Sequence, residues 1–112
     1  MSSYHAQLSE EICASGSGLE IKNRRYLLKT YPTCFVGSEL IDWLVRKKSM
    51  TRPEALALGN ELVQFGYVVH VVDREKPLLD GYYFYIFTVF FYSYEKLSKS
   101  KEGKRVITKK GN

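Results

Sequence analysis

Pro32 and the Gly37-Ser38 pair bracket the segment that most restricts what this chain can fold into. The run of residues 24–44, Arg-Arg-Tyr-Leu-Leu-Lys-Thr-Tyr-Pro-Thr-Cys-Phe-Val-Gly-Ser-Glu-Leu-Ile-Asp-Trp-Leu, sets a basic, turn-like segment against an amphipathic stretch carrying the single tryptophan. A proline there donates no backbone hydrogen bond and holds its predecessor extended, so no helix runs through the first half. Gly37-Ser38 then offers an N-cap, after which Leu40, Ile41, Leu44 and Val45 share one helical face. Arg46-Lys47-Lys48 closes that helix with cations suited to the negative end of its dipole. The pairing predicts a surface finger mounted on a helical core, the layout of a docking module.

The neighbouring elements follow from the same signals. Leu8, Ile12 and Cys13 recur at helical spacing before Gly16-Ser17-Gly18, predicting a short first helix with Glu10 and Glu11 outward. Residues 19–22 and 26–30 form two partly alternating runs around Asn23-Arg24-Arg25, a hairpin with its turn at 23–25. Thr51-Arg52-Pro53-Glu54 is a capping box with proline in the first turn. Gly66 marks a left-handed end, so a third helix is expected with Ala55, Leu58, Leu62 and Phe65 buried. Residues 67–72 and 82–87 read as strands joined by a turn-rich segment. The expected order is helix, hairpin, helix, helix, hairpin.

Charge narrows the function once it is located. The formal net charge is +5, yet residues 1–94 hold ten basic and ten acidic side chains, and the excess lies in residues 95–112. Serine, glycine and lysine dominate that tail, which has little apolar surface to offset the entropy of ordering and is expected to be disordered. Cys13 and Cys34, far apart, suit reduced thiols in an intracellular protein. The N-terminus has neither the charged lead nor the apolar run of a secretory signal, so secretion is not expected.

The motifs in order resemble the DEP domain family of Dishevelled, pleckstrin and several regulators of GTPases and kinases. The residues that carry the likeness are Gly18-Leu19-Glu20-Ile21, Tyr31-Pro32-Thr33-Cys34-Phe35, Gly37-Ser38-Glu39-Leu40-Ile41-Asp42-Trp43-Leu44, Leu62-Val63-Gln64-Phe65-Gly66-Tyr67-Val68-Val69-His70 and Tyr82-Tyr83-Phe84-Tyr85-Ile86-Phe87. The resemblance implies an α+β, winged-helix-like three-helix bundle with a β-hairpin finger between helices 1 and 2 and a C-terminal β-hairpin. It places the domain at residues 5–88, followed by an aromatic extension at 89–94, expected as an extended strand or packed segment, and the basic tail at 95–112. It implies a non-catalytic module without cofactors that brings signalling proteins to membranes or receptor tails, cytoplasmic and peripheral at the inner membrane surface. The Lys-Thr-Tyr-Pro version of the finger is most similar to the tandem-DEP adaptors such as DEPTOR. In Dishevelled-like members an apolar residue beside a lysine engages the receptor, and the nearest equivalents are Leu27, Leu28 and Lys29, offset by one residue.

The finger also carries an argument of its own. Lys22, Arg24, Arg25 and Lys29 lie within eight residues and, on a hairpin tip, could face one surface with Tyr26, Leu27 and Leu28. Each cation near an anionic leaflet contributes about 1 kcal/mol, fading within a Debye length. Anionic lipid, or an acidic signalling protein or receptor tail, is the partner this predicts; charged edges that merely block strand pairing are the plainer alternative. Trp43 is expected in the core, His70 as a half-buried structural histidine, and Asp42 as a turn cap or the partner of an arginine at the hairpin root. A Cys34, His70 and Asp42 or Asp73 nucleophile set has no local signature, and the two histidines and two cysteines lack metal-ligand spacing. Specific nucleic-acid binding is disfavoured because the third helix is net acidic, Arg52 against Glu54 and Glu61. A monomer is expected, with a strand-paired or domain-swapped dimer as the hazard of exposed aromatics at 89–94.

Overall fold

In the computed structural model, which describes residues 3–90, the chain forms helix α1 (Tyr4–Cys13), strands β1 (Lys22–Tyr26) and β2 (Lys29–Val36), helices α2 (Gly37–Lys48) and α3 (Arg52–Gln64), and strands β3 (Val68–His70) and β4 (Phe84–Phe87). The strands make one antiparallel sheet in the order β1-β2-β4-β3, so the α+β architecture and the element order match expectation. The two hairpins are fused: β4 pairs with β3 through Val68↔Phe87 and with β2 through Phe35↔Tyr85 and Val36↔Phe84. Alternation then sorts the side chains. Phe35, Tyr85 and Phe87 face the helices and pack with Leu40, Trp43 and Leu62, whereas Cys34, Val36 and Phe84 form a second small cluster on the opposite face.

Helix termini follow local chemistry at three places and tertiary structure at a fourth. Ser3 Oγ accepts the Ala6 amide at 3.1 Å to open α1. Thr51 and Glu54 close the capping box of α3 reciprocally, at 3.2 and 2.9 Å. Past α3, Gly66 at φ +84° lets its own amide reach Val63 O and the Tyr67 amide reach Leu62 O, a Schellman end. Helix α2 departs from expectation: Ser38 is not its cap. Val36 holds that position without a side-chain bond, and the Gly37 and Ser38 amides instead donate to Tyr83 O at 2.9 Å and Gly81 O at 3.0 Å. Donors that a helix start leaves open are satisfied by the segment between β3 and β4.

That segment is held at several points. Asn60 receives the Leu78 amide at 2.9 Å and donates to Leu78 O at 3.1 Å. The Tyr85 hydroxyl donates to Pro77 O and accepts from the Leu79 amide, both at 2.8 Å. Arg52 binds Asp80 through two nitrogens, at 2.9 and 2.8 Å, and also reaches Asp42 at 2.6 Å. Asp42 therefore pairs with the start of α3 and not with the hairpin root. Trp43 is 1% exposed, and its indole N–H donates to Ser17 O at 2.9 Å, which ties the turn after α1 into the core.

Four further expectations are corrected. The finger turn lies at Leu27-Leu28, since Tyr26 pairs with Lys29, so the arginines belong to strand β1. Phe65 is 58% exposed against the His5 ring because the Schellman turn carries it off the buried stripe; Gly59 takes its place, letting α3 approach Leu78. Tyr82 and Tyr83 precede β4, since their segment is occupied in capping α2. The last strand stops at Phe87, residues 88–90 turn helical and Phe90 packs on the core, so of the two readings of the extension the packed segment holds at Phe90 and the extended strand does not. Residues 91–94 and the tail at 95–112 lie outside the described residues.

The junction at Gly37 is tight. A Cβ there would stand 2.5 Å from Leu79 O and 2.9 Å from Tyr85 Cε1. Gly37→Ala is expected to cost about 1–3 kcal/mol through overpacking against backbone. Urea unfolding should show a lower midpoint with an unchanged slope.

Candidate functional site

The finger is built by register. Strand β1 runs antiparallel to β2 with a bulge, since Lys22 faces Cys34 while Arg24 faces Tyr31. The extra residue falls on β2 beside Pro32, a place where a strand tolerates proline. Asn23 Oδ1 accepts the Thr33 amide at 3.1 Å, and Thr33 takes a positive φ of 52°. The turn leaves Leu27 at φ +57°. Tight hairpin turns favour glycine, asparagine or aspartate at positive φ, and a leucine there costs roughly 1–2 kcal/mol.

The predicted site residues do not act as one group. A strand sends neighbours to opposite sides, so Arg24 and Arg25 part. The Arg24 side chain is only 8% exposed; it donates to Cys34 O at 3.2 Å and Glu20 O at 3.1 Å, and lies 5.7 Å from the Phe84 ring centre. Its ion pairs with Glu20 and Glu39 are both 3.8 Å. Arg24 is thus a structural cation that covers the outer face of the sheet. Lys22 sits at the finger root, 3.4 Å from Glu20. Arg25 is exposed, and Lys29 stands 5.4 Å from the Tyr31 ring centre. Tyr26 turns inward to meet Phe84 edge-on at 6.4 Å. Leu27 and Leu28, 78% and 91% exposed, form the tip.

Beside the finger the sheet's outer face is hollowed. A cleft of about 400 Å³ lies between Tyr26 on the finger and Val72, Lys76, Tyr82 and Tyr83 on the β3–β4 connection, with Phe84 also lining it. A smaller one of about 250 Å³ runs between Lys29, Tyr31 and Pro32 on β2 and Val71, Arg74 and Ile86. His70 borders both. This surface is not legible from strand periodicity, which places Tyr82 and Tyr83 inside the strand; the consecutive aromatics straight after Gly81 are its one local signal.

His70 is structural, as expected, and more buried than expected. Its Nδ1 accepts the Val72 and Asp73 amides, each at 3.1 Å, which fixes the neutral ring with its proton on Nε2. Burial lowers its pKa, Asp73 raises it and Lys76 lowers it, with a net downward shift. The Tyr83 and Tyr85 rings flank it. The structure does not assemble the nucleophile set: Cys34 gives its S–H to Tyr31 O at 3.1 Å, while His70 Nδ1 is taken up by the Val72 and Asp73 amides. Burial pushes the Cys34 thiol up to about 11, offset in part by Arg24, and the Cys13 thiol up to about 12. Both are protonated near neutrality and poor nucleophiles. Arg52, the lone cation of α3, is spent on Asp42 and Asp80, and its hydrogen bonds hold the Asp80 carboxyl below its ordinary range.

Arg24→Ala should destabilise the domain by about 1.5–3 kcal/mol, since the charged hydrogen bonds to the Cys34 and Glu20 carbonyls and the cover over Phe84 are lost. Arg25→Ala should stay within about 0.5 kcal/mol. Denaturant unfolding of the pair separates structural from available cations. For His70 the folded pKa lies below the unfolded value of about 6.5, so the neutral ring's stabilisation is complete above that pH and declines as pH falls through it. Unfolding between pH 7.5 and 5 should show this loss, and His70→Asn, whose Oδ1 can accept the same amides, should remove that component.

Comparison with known proteins gives concordant results. The family model described as "Domain found in Dishevelled, Egl-10, and Pleckstrin (DEP)" matches residues 18–87. The chain is 44% identical over 82 residues to the vacuolar membrane-associated protein IML1 of Yarrowia lipolytica, covering 71% of this chain and 5% of that protein. It is 37% identical over 79 residues to human 1-phosphatidylinositol 3-phosphate 5-kinase, covering 70% of this chain and 4% of that protein. The kinase activity in that name therefore belongs to a protein of which this chain matches a small part. The mouse pleckstrin DEP domain superposes with a TM-score of 0.65 at 28% identity, over 78% of this chain and 90% of that one.

Proposed function

This chain belongs to the DEP family, a family of non-catalytic interaction domains, and on that premise we propose that it is a membrane-targeting module whose finger tip, Leu27-Leu28 flanked by Arg25 and Lys29, enters an anionic lipid surface. One observation carries the reading. Two leucines stand in solvent at a turn whose backbone disfavours one of them, and no packing among the described residues explains them. A local rule broken without structural compensation points to function. Burial in an interface would return up to about 1.5–3 kcal/mol per leucine, and each flanking cation about 1 kcal/mol. After the cost of immobilising the domain at the surface, these leave a weak, salt-sensitive attachment with a dissociation constant on the order of 0.1 mM or weaker for a single finger.

The names of the relatives agree with a membrane setting, and no helix among the described residues is long and apolar enough to cross a bilayer, which suits peripheral attachment. We place the domain at the cytoplasmic side of such a membrane, within a signalling protein. Descent from the tandem adaptors is a finer assignment resting on the finger's Lys-Thr-Tyr-Pro run; the relatives named above are of other kinds.

Co-sedimentation with phosphatidylcholine vesicles, with and without phosphatidylserine and at low and high salt, tests the reading. Leu27→Gly with Leu28→Ala should lower binding by at least about tenfold. Leu27→Gly alone should leave the fold as stable or up to about 1 kcal/mol more stable, because glycine suits the turn. Arg25→Glu with Lys29→Glu should abolish the salt-dependent component. Wild-type binding by the tip variant, or loss only on deleting residues 95–112, would sink the proposal.

A further inference from the structure

The hollow between finger and sheet is a second surface, which shares Lys29 with the finger's basic flank but not the Leu27-Leu28 tip. Its larger cleft, about 400 Å³, lies within the ~300–1,000 Å³ typical of ligand sites, and its walls are tyrosines whose rings offer apolar area and hydroxyls together. Tyr82 is 74% exposed, Val72 57%, Tyr26 48% and Tyr83 46%, an aromatic and aliphatic group gathered on one side of a small domain. The walls are already fixed. Tyr82 and Tyr83 follow Gly81 on a segment bound to α2 through Gly81 O and Tyr83 O, and its start is clamped by Asn60 and the Tyr85 hydroxyl. The opposite wall turns on His70, whose Nδ1 gathers the Val72 and Asp73 amides. A pre-formed wall loses little entropy when a partner settles on it.

Charge selects the partner. Lys76 lines the larger cleft, and Lys29 and Arg74 line the smaller. Asp73 is the one acid among the lining residues of the two, and its Oδ1 is engaged by the Glu75 amide at 3.0 Å. His70 is neutral by its hydrogen bonding. Cations set around aromatic walls match a segment that carries carboxylates about an aromatic or leucine side chain. A lipid surface fits poorly, since the clefts are concave and the apolar tip residues Leu27 and Leu28 line neither of them.

We infer that the two clefts form a docking surface for an extended acidic protein segment, its aromatic or leucine side chain held among Tyr26, Tyr82 and Phe84 and its carboxylates met by Lys76 and Lys29. This surface does not require the tip to meet a membrane, and one domain can present both.

The test is an NMR titration of the full chain with two synthetic peptides of equal length. One is rich in aspartate and glutamate around a central Leu-Phe; the other replaces its acids with lysine. The acidic peptide should shift the amide resonances of Val72, Lys76, Tyr82 and Tyr83 first, and the lysine peptide should not bind. Tyr82→Ala with Lys76→Glu should weaken the acidic peptide by at least about tenfold at an unchanged unfolding midpoint. The tip variant Leu27→Gly with Leu28→Ala should bind that peptide within about twofold of wild type. Absence of binding, equal binding of the lysine peptide, or shifts centred on the tip would overturn the inference. So would a cleft variant that loses phosphatidylserine-vesicle binding while retaining the peptide. A tip variant deficient only with vesicles supports both surfaces, whereas failure of the vesicle assay with intact peptide binding removes the membrane reading alone.

Discussion

Everything in this domain hangs on the backbone junction at Gly37, where strand β2 becomes helix α2. A helix start leaves its first amides without partners, and no side chain supplies one here. The carbonyls of Gly81 and Tyr83 do so, and they arrive because Tyr85 beside Phe35 and Phe84 beside Val36 join the two hairpins into one sheet. Glycine at 37 is required by the closeness of that approach, since Leu79 O occupies the space a Cβ would need. One contact thus caps a helix, fuses the sheet and fixes the segment bearing Tyr82 and Tyr83.

The same junction explains why this surface is both rigid and exposed. The connection between β3 and β4 has few buried side chains of its own, Leu78 being the chief one, and is ordered through its backbone. Its side chains are therefore free to face outward. On the finger the allocation is reversed: Arg24 is drawn inward over Phe84, and the leucines are left outside. A cation serving as the lid of an apolar face and leucines serving as the tip invert the usual distribution of polarity, which concentrates binding potential where packing is least engaged.

Much of the fold was legible along the chain. The capping box at Thr51, the left-handed Gly66 and the buried face around Trp43 are signals carried by a few adjacent residues, and local physics enforces them wherever they sit. The finger's existence was legible for the same reason, through Pro32. Its composition as a site was less so. Without glycine or asparagine at the turn, nothing nearby marked Leu27-Leu28 as the tip, and the basic run looked like one instead. That misplacement put four cations on one surface, when strand alternation divides Arg24 from Arg25.

By itself the sequence determined the order of the elements, the helix boundaries that rest on side-chain or glycine caps, and the presence of a basic finger, because each depends on interactions spanning a turn or two of chain. Only the tertiary structure decided which strands became neighbours, how α2 is capped, which arginine is structural and where the aromatic clefts open. Those outcomes depend on the register of β2 against β4, which joins residues about fifty positions apart. Pairings that distant are set by the packing of the whole core, and no local pattern carries them.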